Sequence, residues 1–356
     1  LIFLGIAPML EKIKKLNDPQ FFQIINGKLC YIDGTDFYYD GTKKGTVKKD
    51  AIARTGASTN HHILYKFTED DVKNNNNQVE FIKKEEENLR TSKWLLVTRK
   101  SLPDWINAPQ SQVEYYMNPE NFKDDPIQVY QFLDLRYYTD VPISELQNLL
   151  DGKGILQDKA EVFQEAAKNA KINEIYLISH ALLETGKGSS PLSTGKIKVG
   201  KSSNIYVVEI NDNKKERKLY TVENYNKNNP DNAKIKEVKE EDVKNVKRVP
   251  IYNVFGIGAV DKNSEVLGAV RAYVEGWTTI DKAINGGANF AGEKYIHAGQ
   301  NTLYKMRWNP EKLVNGDPTH QYATDVGWAC KQVRDTYGKI YSKGNYNLMF
   351  EIPVYK

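Results

Sequence analysis

Cysteine is nearly absent from this sequence, long apolar runs are missing, and neither sign of charge dominates. Cys30 and Cys330 are the 2 cysteines in 356 residues. They lie far apart, so neither a disulfide framework nor a cysteine-based metal site is indicated. The 5 histidines are scattered without zinc spacing. No metal and no organic cofactor is expected. No stretch reaches the roughly 20 apolar residues that a membrane-spanning helix needs. The apolar opening, Leu1 to Leu10, is too short to span and lacks the basic start of a signal peptide. The chain opens on Leu1 rather than Met, which reads as a piece of a longer protein cut from its targeting segment. Lys and Arg number 50 against 46 Asp and Glu, a formal charge of +4. That excess is mild and forms no Arg-rich stripe, so nucleic acid is not indicated. It suits attraction to an anionic polymer as a weak effect. What the sequence does have is 22 Tyr and 5 Trp, flat rings that stack on sugars as well as on bases.

Residues 1–110 differ from the rest. "FFQIINGKLCYIDGTDFYYDGT" breaks short β-prone runs with Asn-Gly and Asp-Gly, a hairpin signal. "DDVKNNNNQVE" reads as a loop, "FIKKEEENLR" as a solvated helix face and "KWLLVTRK" as a buried strand. No chemistry is visible in this small β-containing module, and its boundary falls near Gln110. Residues 111–356 read as mainly helical. Pro142 opens "PISELQNLL", with Ser144 as a candidate cap. "DKAEVFQEAAKNA" is amphipathic, and "NEIYLISHALLE" follows with Asn173 as its N-cap. Residues 196–249 interrupt this pattern. "SNIYVVEI" and "RKLYTVEN" predict a β-hairpin insertion, and the charged "AKIKEVKEEDVKNVKR" a solvated segment.

Glu184 is the residue that asks for an explanation. It ends "NEIYLISHALLE", whose apolar residues surround the helix, as in a buried central helix. Gly186 then supplies a left-handed stop within a small, flexible "TGKGSS". Burial and the negative end of the helix dipole both favour the neutral, protonated carboxyl there. A proton held near neutral pH is what a glycosidase needs to protonate a leaving oxygen. On position alone, an exposed last-turn glutamate is the competing reading.

"HALLETGKGSSPLSTG" (His180 to Gly195) resembles the signature of glycoside hydrolase family 73, the endo-β-N-acetylglucosaminidases of bacterial autolysins. Three further blocks resemble the same catalytic domain in the same order. They are "YNVFGIGAVD" (Tyr252 to Asp261), "GWTTIDKAINGGANFAGEKYIHAGQNTLYKMRWNP" (Gly276 to Pro310) and "HQYATDVGWA" (His320 to Ala329). The resemblance covers about Val113 to the C-terminus. It is nearest to the long Gram-positive autolysins of staphylococcal and clostridial type.

The resemblance implies a lysozyme-like helical fold with a cleft, and peptidoglycan glycan strands as substrate. The bond cut would be the β-1,4 link from N-acetylglucosamine to N-acetylmuramic acid. It implies a secreted, cell-wall enzyme, here expected to be monomeric. Glu184 matches the family's general acid. His180, one turn earlier on the same face, is either a hydrogen-bond partner of the acid or a packed core histidine. The second carboxylate is open: Asp261 and Glu265 lie nearest the "FGI" block, while Glu209 and Glu223 sit on the insertion. Asp261 is the first choice and Glu223 the next. The substrate's own 2-acetamido group could instead attack the anomeric carbon. Tyr322 matches a cleft tyrosine of the family, with Thr324 read as a helix N-cap and Asp325 as a first-turn acid. Tyr252, Asn253, Phe255, Gln300, Asn301, Tyr304, Arg307 and Trp308 are the remaining candidate glycan-binding residues. A lytic transglycosylase or muramidase on the same fold, or a non-catalytic wall-binding module, are the rival readings.

Overall fold

The computed structural model describes the chain except residues 1, 4–20, 24–29, 34–35, 40–43, 55–62, 76, 82–93, 99–104, 109, 212–216, 261–262, 316–318, 335 and 356. The charged stretch "KKEEE" at 83–87, the boundary prolines Pro103 and Pro109, and Asp261 all lie outside the described residues. The chain forms two compact units: Leu1–Val129 with Tyr304–Lys331 and Ile352–Lys356, and Tyr130–Leu303 with Gln332–Glu351.

The first unit is built on a seven-stranded antiparallel sheet. Its strand order is Phe37–Tyr39, Lys44–Val47, Gln78–Phe81, Trp94–Thr98, Cys30–Asp33, Ile52–Arg54, Ile63–Lys66. The hairpin signals are realised in part: Phe37 pairs Val47 and Tyr39 pairs Gly45. Part of the segment read as a loop is a short helix, Glu69–Lys73. Thr68 and Asp71 cap it reciprocally, each side chain accepting from the other's backbone N–H. Asn77 is buried and donates to the Val47 carbonyl at 2.7 Å, tying this excursion to the sheet. Ile2–Phe3 pairs in parallel with Val354–Tyr355. Tyr304, Met306 and Trp308 are fully buried in this unit.

The second unit is helical with one sheet. The Ala160–Ala170 and Ile280–Ala291 helices lie against each other, with Lys159 and Asp281 paired at 2.7 Å across their starts. Pro142 rather than Ser144 occupies the N-cap of Ile143–Leu150, and no side chain caps it. The insertion is wider than a hairpin. Five antiparallel strands run in the order Lys234–Val238, Lys218–Glu223, Ile205–Ile210, Ile197–Ser202, Val249–Pro250. The Ser264–Val274 helix packs on the Ile197–Ser202 and Ile205–Ile210 strands. Val207, Leu219, Val238, Val243 and Val246 form a small core on the insertion. At Gly200 a Cβ would stand 2.3 Å from the Lys247 carbonyl oxygen, so the 240–247 segment lies directly on the strand. Among the described residues, no helix is long and apolar enough to cross a membrane, and no cluster of potential metal ligands occurs.

Candidate active site

The helix that carries Glu184 is fixed at both ends. Asn173 caps it, its Oδ1 accepting from Tyr176 N at 2.9 Å. Its neighbour Glu174 is fully buried. That carboxylate accepts from Thr139 N at 3.0 Å, Thr139 Oγ1 at 2.9 Å and Val141 N at 2.9 Å. Such a set satisfies a charge that burial would otherwise make very costly. Every residue from Glu174 to Ala181 is buried, as the all-round apolar pattern predicts.

The far end is fixed by Thr185. Its hydroxyl donates to Ala181 O at 2.6 Å and accepts from Gly188 N at 2.7 Å. Its carbonyl accepts from Ser189 N and Ser190 N at 3.0 and 2.9 Å. Gly186 takes the left-handed turn at φ +55°. Gly188 sits at φ +83°, and a Cβ on it would lie 2.0 Å from the Lys153 carbonyl oxygen. The "TGKGSS" segment is therefore a bonded loop held against residues 153–155, not the flexible tether its composition suggests. Glu184 emerges from this frame with its side chain 28% exposed. The helix is buried as expected as far as Ala181, but its last turn, with Leu183 and Glu184, reaches solvent.

Around the carboxylate stand His180 and the "FGIG" turn. His180 Nε2 is 3.6 Å from Glu184 Oε1, and its Nδ1 is 3.0 Å from the Tyr176 hydroxyl. Phe255 meets the His180 ring edge-on at 5.3 Å between centroids. Phe255 also fills the space above Gly287, where a Cβ would be 1.9 Å from its ring. Gly256, at φ +63°, turns the chain so that a Cβ there would come 3.2 Å from Glu184 Oε2. Asn253 holds this turn from inside. Its amide donates to Ile257 O at 2.9 Å and Gly268 O at 3.1 Å, and its oxygen accepts from Ile257 N at 3.1 Å. Tyr252 lies over Gly195, whose Cβ would be 2.6 Å from the ring. Two blocks separated by the whole insertion thus meet at Glu184.

The other candidates fall in different places. Gln300 and Asn301 are buried, and Asn301 donates to Glu351 Oε1 at 2.9 Å. Arg136 bridges Asp134 and Glu351, its Nε 2.9 Å from Asp134 Oδ1 and its Nη2 2.9 Å from Glu351 Oε1. Burial alone would raise the Asp134 carboxyl, but its bonds from Arg136 and Asn301 outweigh that and hold it below the usual range. In the other unit, the Tyr304 hydroxyl donates to Met117 O at 2.5 Å and also meets the Tyr355 hydroxyl. Burial pushes that phenol well above its ordinary value.

Arg307 is fully buried. It donates to Asp325 O at 2.7 Å, Gln321 Oε1 at 3.2 Å and Thr324 O at 3.2 Å, and lies 4.0 Å over the Trp308 ring. Burial pushes the guanidinium down to about 9, with the Asp325 charge working against it. These side chains have partners inside the protein. Arg307 in particular fixes the 321–325 loop, where Tyr322 is half-buried and stacks on Trp328 at 4.8 Å. The following helix starts at Trp328, and the turn before it is held by Asp325, whose Oδ1 accepts from Gly327 N at 3.0 Å and whose carbonyl accepts from Trp328 N at 3.1 Å. Thr324 is therefore not adjacent to the start of that helix.

Of the candidate second carboxylates, Glu223 is exposed at a strand end opposite Lys234. Glu265 lies in the first turn of the Ser264–Val274 helix. Glu209 is held by Arg217 and Arg248, each at 2.9 Å. Burial would raise it, but those cations and Asn211 hold it below the usual carboxylate range. Sequence reasoning passed over Tyr176, Thr185 and Gly256. Only Gly256 carried a local signal, a glycine in a Phe-Gly-Ile-Gly turn.

The chain is 38% identical over 256 residues to the β-N-acetylglucosaminidase of Bacillus subtilis, a match covering 71% of this chain and 23% of that protein. It is 36% identical to the crystal structure of the Major Bifunctional Autolysin, covering 72% of this chain and 87% of that one, with a TM-score of 0.45. The chain belongs to the autolysin glucosaminidase family. Membership rests on sequence identity. A bifunctional autolysin of Staphylococcus epidermidis is 39% identical over 256 residues, covering 71% of this chain and 16% of that protein. The crystal structure of S. aureus autolysin E is 31% identical and covers 71% of this chain and 86% of that one, with a TM-score of 0.48. No family model matches the chain. The chain spans 23% or less of the length of these curated relatives. Within the family frame, the blocks that carry the resemblance at 180–195 and 252–258 are those that meet at Glu184.

Proposed function

We propose that this chain is an endo-β-N-acetylglucosaminidase that cuts the β-1,4 bond from N-acetylglucosamine to N-acetylmuramic acid in peptidoglycan. The observation that carries this reading is Glu184. It is a carboxyl at the end of a helix buried from Glu174 to Ala181, fixed at both termini and opening to solvent beside Gly256. Relatives support it: a catalytic mutant of S. aureus autolysin E was solved with the disaccharide NAG-NAM, and the parent enzyme with the muropeptide NAM-L-Ala-D-iGlu.

Glu184 gives its proton to the glycosidic oxygen as the C1–O bond breaks, and an oxocarbenium-like centre develops. Water then adds to C1, its proton leaving to a base, or the 2-acetamido oxygen closes on C1 first. Asp261 is the first candidate for base or acetamido orienter and Glu223 the second. Tyr322, on the loop that Arg307 fixes, is assigned to the reacting sugar. Gln300 and Asn301 in one unit, and Tyr304, Arg307 and Trp308 in the other, each brace their own unit. The lysozyme-like fold, secretion to the cell wall and a monomeric state belong to the same reading.

The test is product analysis. Purified peptidoglycan is digested, the products are reduced, and the new ends are identified by mass spectrometry. Reduced N-acetylglucosamine is the expected end. Reduced or anhydro N-acetylmuramic acid would place the chain with the muramidases or lytic transglycosylases. Glu184→Gln is expected to lower wall clearance at least a hundredfold. Clearance at the parent rate would reject Glu184 as the acid.

A further inference from the structure

We propose that the 196–249 insertion carries a second binding surface, for a linear polymer of phosphodiesters without bases. The partner is other than the glycan cut at Glu184, and the proposal does not depend on that residue being the acid. Charge is unevenly shared along the chain. Residues 196–249 hold 14 Lys and Arg against 9 Asp and Glu, a balance of +5. The other residues hold 36 against 37, a balance of −1. The positive charge of the whole chain is therefore that of the insertion.

The fold engages the arginines and leaves the lysines. Glu209 and Glu240 are each paired with both Arg217 and Arg248, at 2.7–2.9 Å. Lys198, Lys234, Lys236, Lys244 and Lys247 are exposed, and among the described residues none of them forms an ion pair. Side chains alternate between the two faces of a strand. The register puts Lys198, Lys234 and Lys236 on the face that carries Val207, Leu219 and Val238. The opposite face carries Tyr206 and Tyr220 and meets the Ser264–Val274 helix, with Tyr206 edge-on to Tyr273 at 6.1 Å. The 240–247 segment crosses the lysine face. Val243 and Val246 turn inward onto Val207 and Leu219, and Lys244 and Lys247 are left outside. The exposed acids beside these lysines, Glu223, Glu241 and Asp242, are fewer.

Lysine heads are compact charges on flexible stems, which neutralise phosphates without fixing their orientation. Lys234 and Lys236 are two strand positions apart, about 6–7 Å. Phosphates joined by three-carbon units repeat their charge over a similar length. The face offers nothing to a base. Tyr206 and Tyr220 lie on the other side and both arginines are engaged, so neither stacking nor bidentate base readout is provided. Nor does it suit a membrane. Among the described residues, none of the exposed large apolar side chains lies on the insertion. A base-free polyanion needs neither kind of group, and its binding leaves the site at Glu184 open for the glycan.

The test is binding of the full chain to soluble poly(glycerol phosphate), followed by titration calorimetry. Binding is expected to weaken about tenfold between about 50 and 200 mM salt. The combined variant Lys198→Gln, Lys234→Gln, Lys236→Gln, Lys244→Gln and Lys247→Gln is expected to bind at least about tenfold more weakly. Arg at the same five positions should keep the binding. A control variant with Lys171→Gln, Lys282→Gln, Lys294→Gln, Lys339→Gln and Lys343→Gln loses the same charge outside the insertion, and should bind within about twofold of the parent. All three variants should keep the parent Tm and the parent rate on a soluble glycan, since exposed charges contribute little to stability. An oligothymidylate and its abasic counterpart of equal length should bind alike. No binding at low salt overturns the proposal. So does an equal loss in the two glutamine variants, which would reduce the effect to net charge. Much tighter binding of the oligothymidylate than of its abasic counterpart would assign the surface to nucleic acid instead. Binding is read without catalysis, so an inactive parent chain would count against the glucosaminidase reading and not against this surface.

Discussion

Gly256→Ala isolates what the "FGIG" turn does for the acid. The substitution has two effects. At φ +63° an L side chain costs about 1–2 kcal/mol of backbone strain. The new Cβ would also sit 3.2 Å from Glu184 Oε2, so the carboxylate must move by a few tenths of an ångström. The strain should lower Tm by about 2–8 °C. The displacement should lower kcat about tenfold, since a 1 Å misplacement of a reacting group costs about a hundredfold. Gly276→Ala separates the two. Gly276 has φ +74°, and nothing lies within 4 Å of its would-be Cβ, so it carries the strain without the steric contact. Thermal unfolding and clearance of a peptidoglycan suspension are measured on both variants. Similar losses of Tm with a rate loss confined to Gly256→Ala are expected. A parent rate in Gly256→Ala, or equal rate losses in both, would refute the contact as the cause.

Other substitutions follow from the buried charges. Arg307→Ala leaves the carbonyls of Thr324 and Asp325 and the Gln321 amide without their donor. It is expected to cost about 3–5 kcal/mol in urea unfolding, and a loss below 1 kcal/mol would contradict the bracing role. Asp134 is held below the usual carboxylate range, so its contribution is complete above the unfolded-state value and is lost as pH falls through the folded one. The urea midpoint should therefore fall between about pH 5 and pH 2. Asp134→Asn should be less stable at neutral pH and show a flatter acid slope; an unchanged slope would contradict this.

The parts that could be read from the sequence were those governed by neighbours along the chain. Asn173 lies directly before an apolar run, and its capping bond is local. Gly186 stops the helix by its own backbone freedom. The insertion was only half legible. Its outer strand, Lys234–Val238, alternates charged exposed residues with half-buried Ile235 and Val238, as an edge strand does, and so resembles a solvated segment. Val249–Pro250 is too short to signal a strand and is recruited by pairing with Lys198–Val199. The "TGKGSS" loop was misjudged because its composition is that of a flexible linker, while its order comes from residues 153–155, some 30 positions earlier. Side-chain direction was the other gap. Asn253, Asn301 and Arg307 have the polar, planar groups that a glycan site uses, and residue type does not say whether such groups point outward or brace the frame.

The insertion leaves and rejoins the helical unit at one place. Lys198 faces Pro250 and Val199 faces Val249, and Ile251 N donates to Ile197 O at 3.1 Å. The two ends are thus as near as the ends of a tight turn, although some 50 residues separate them. Such an excursion can lengthen, shorten or be exchanged over evolutionary time without disturbing the spacing between its flanks. Those flanks lead to the acid on one side and the glycine turn on the other. The two segments that meet at Glu184 can therefore keep their spacing whatever the length of the sheet between them.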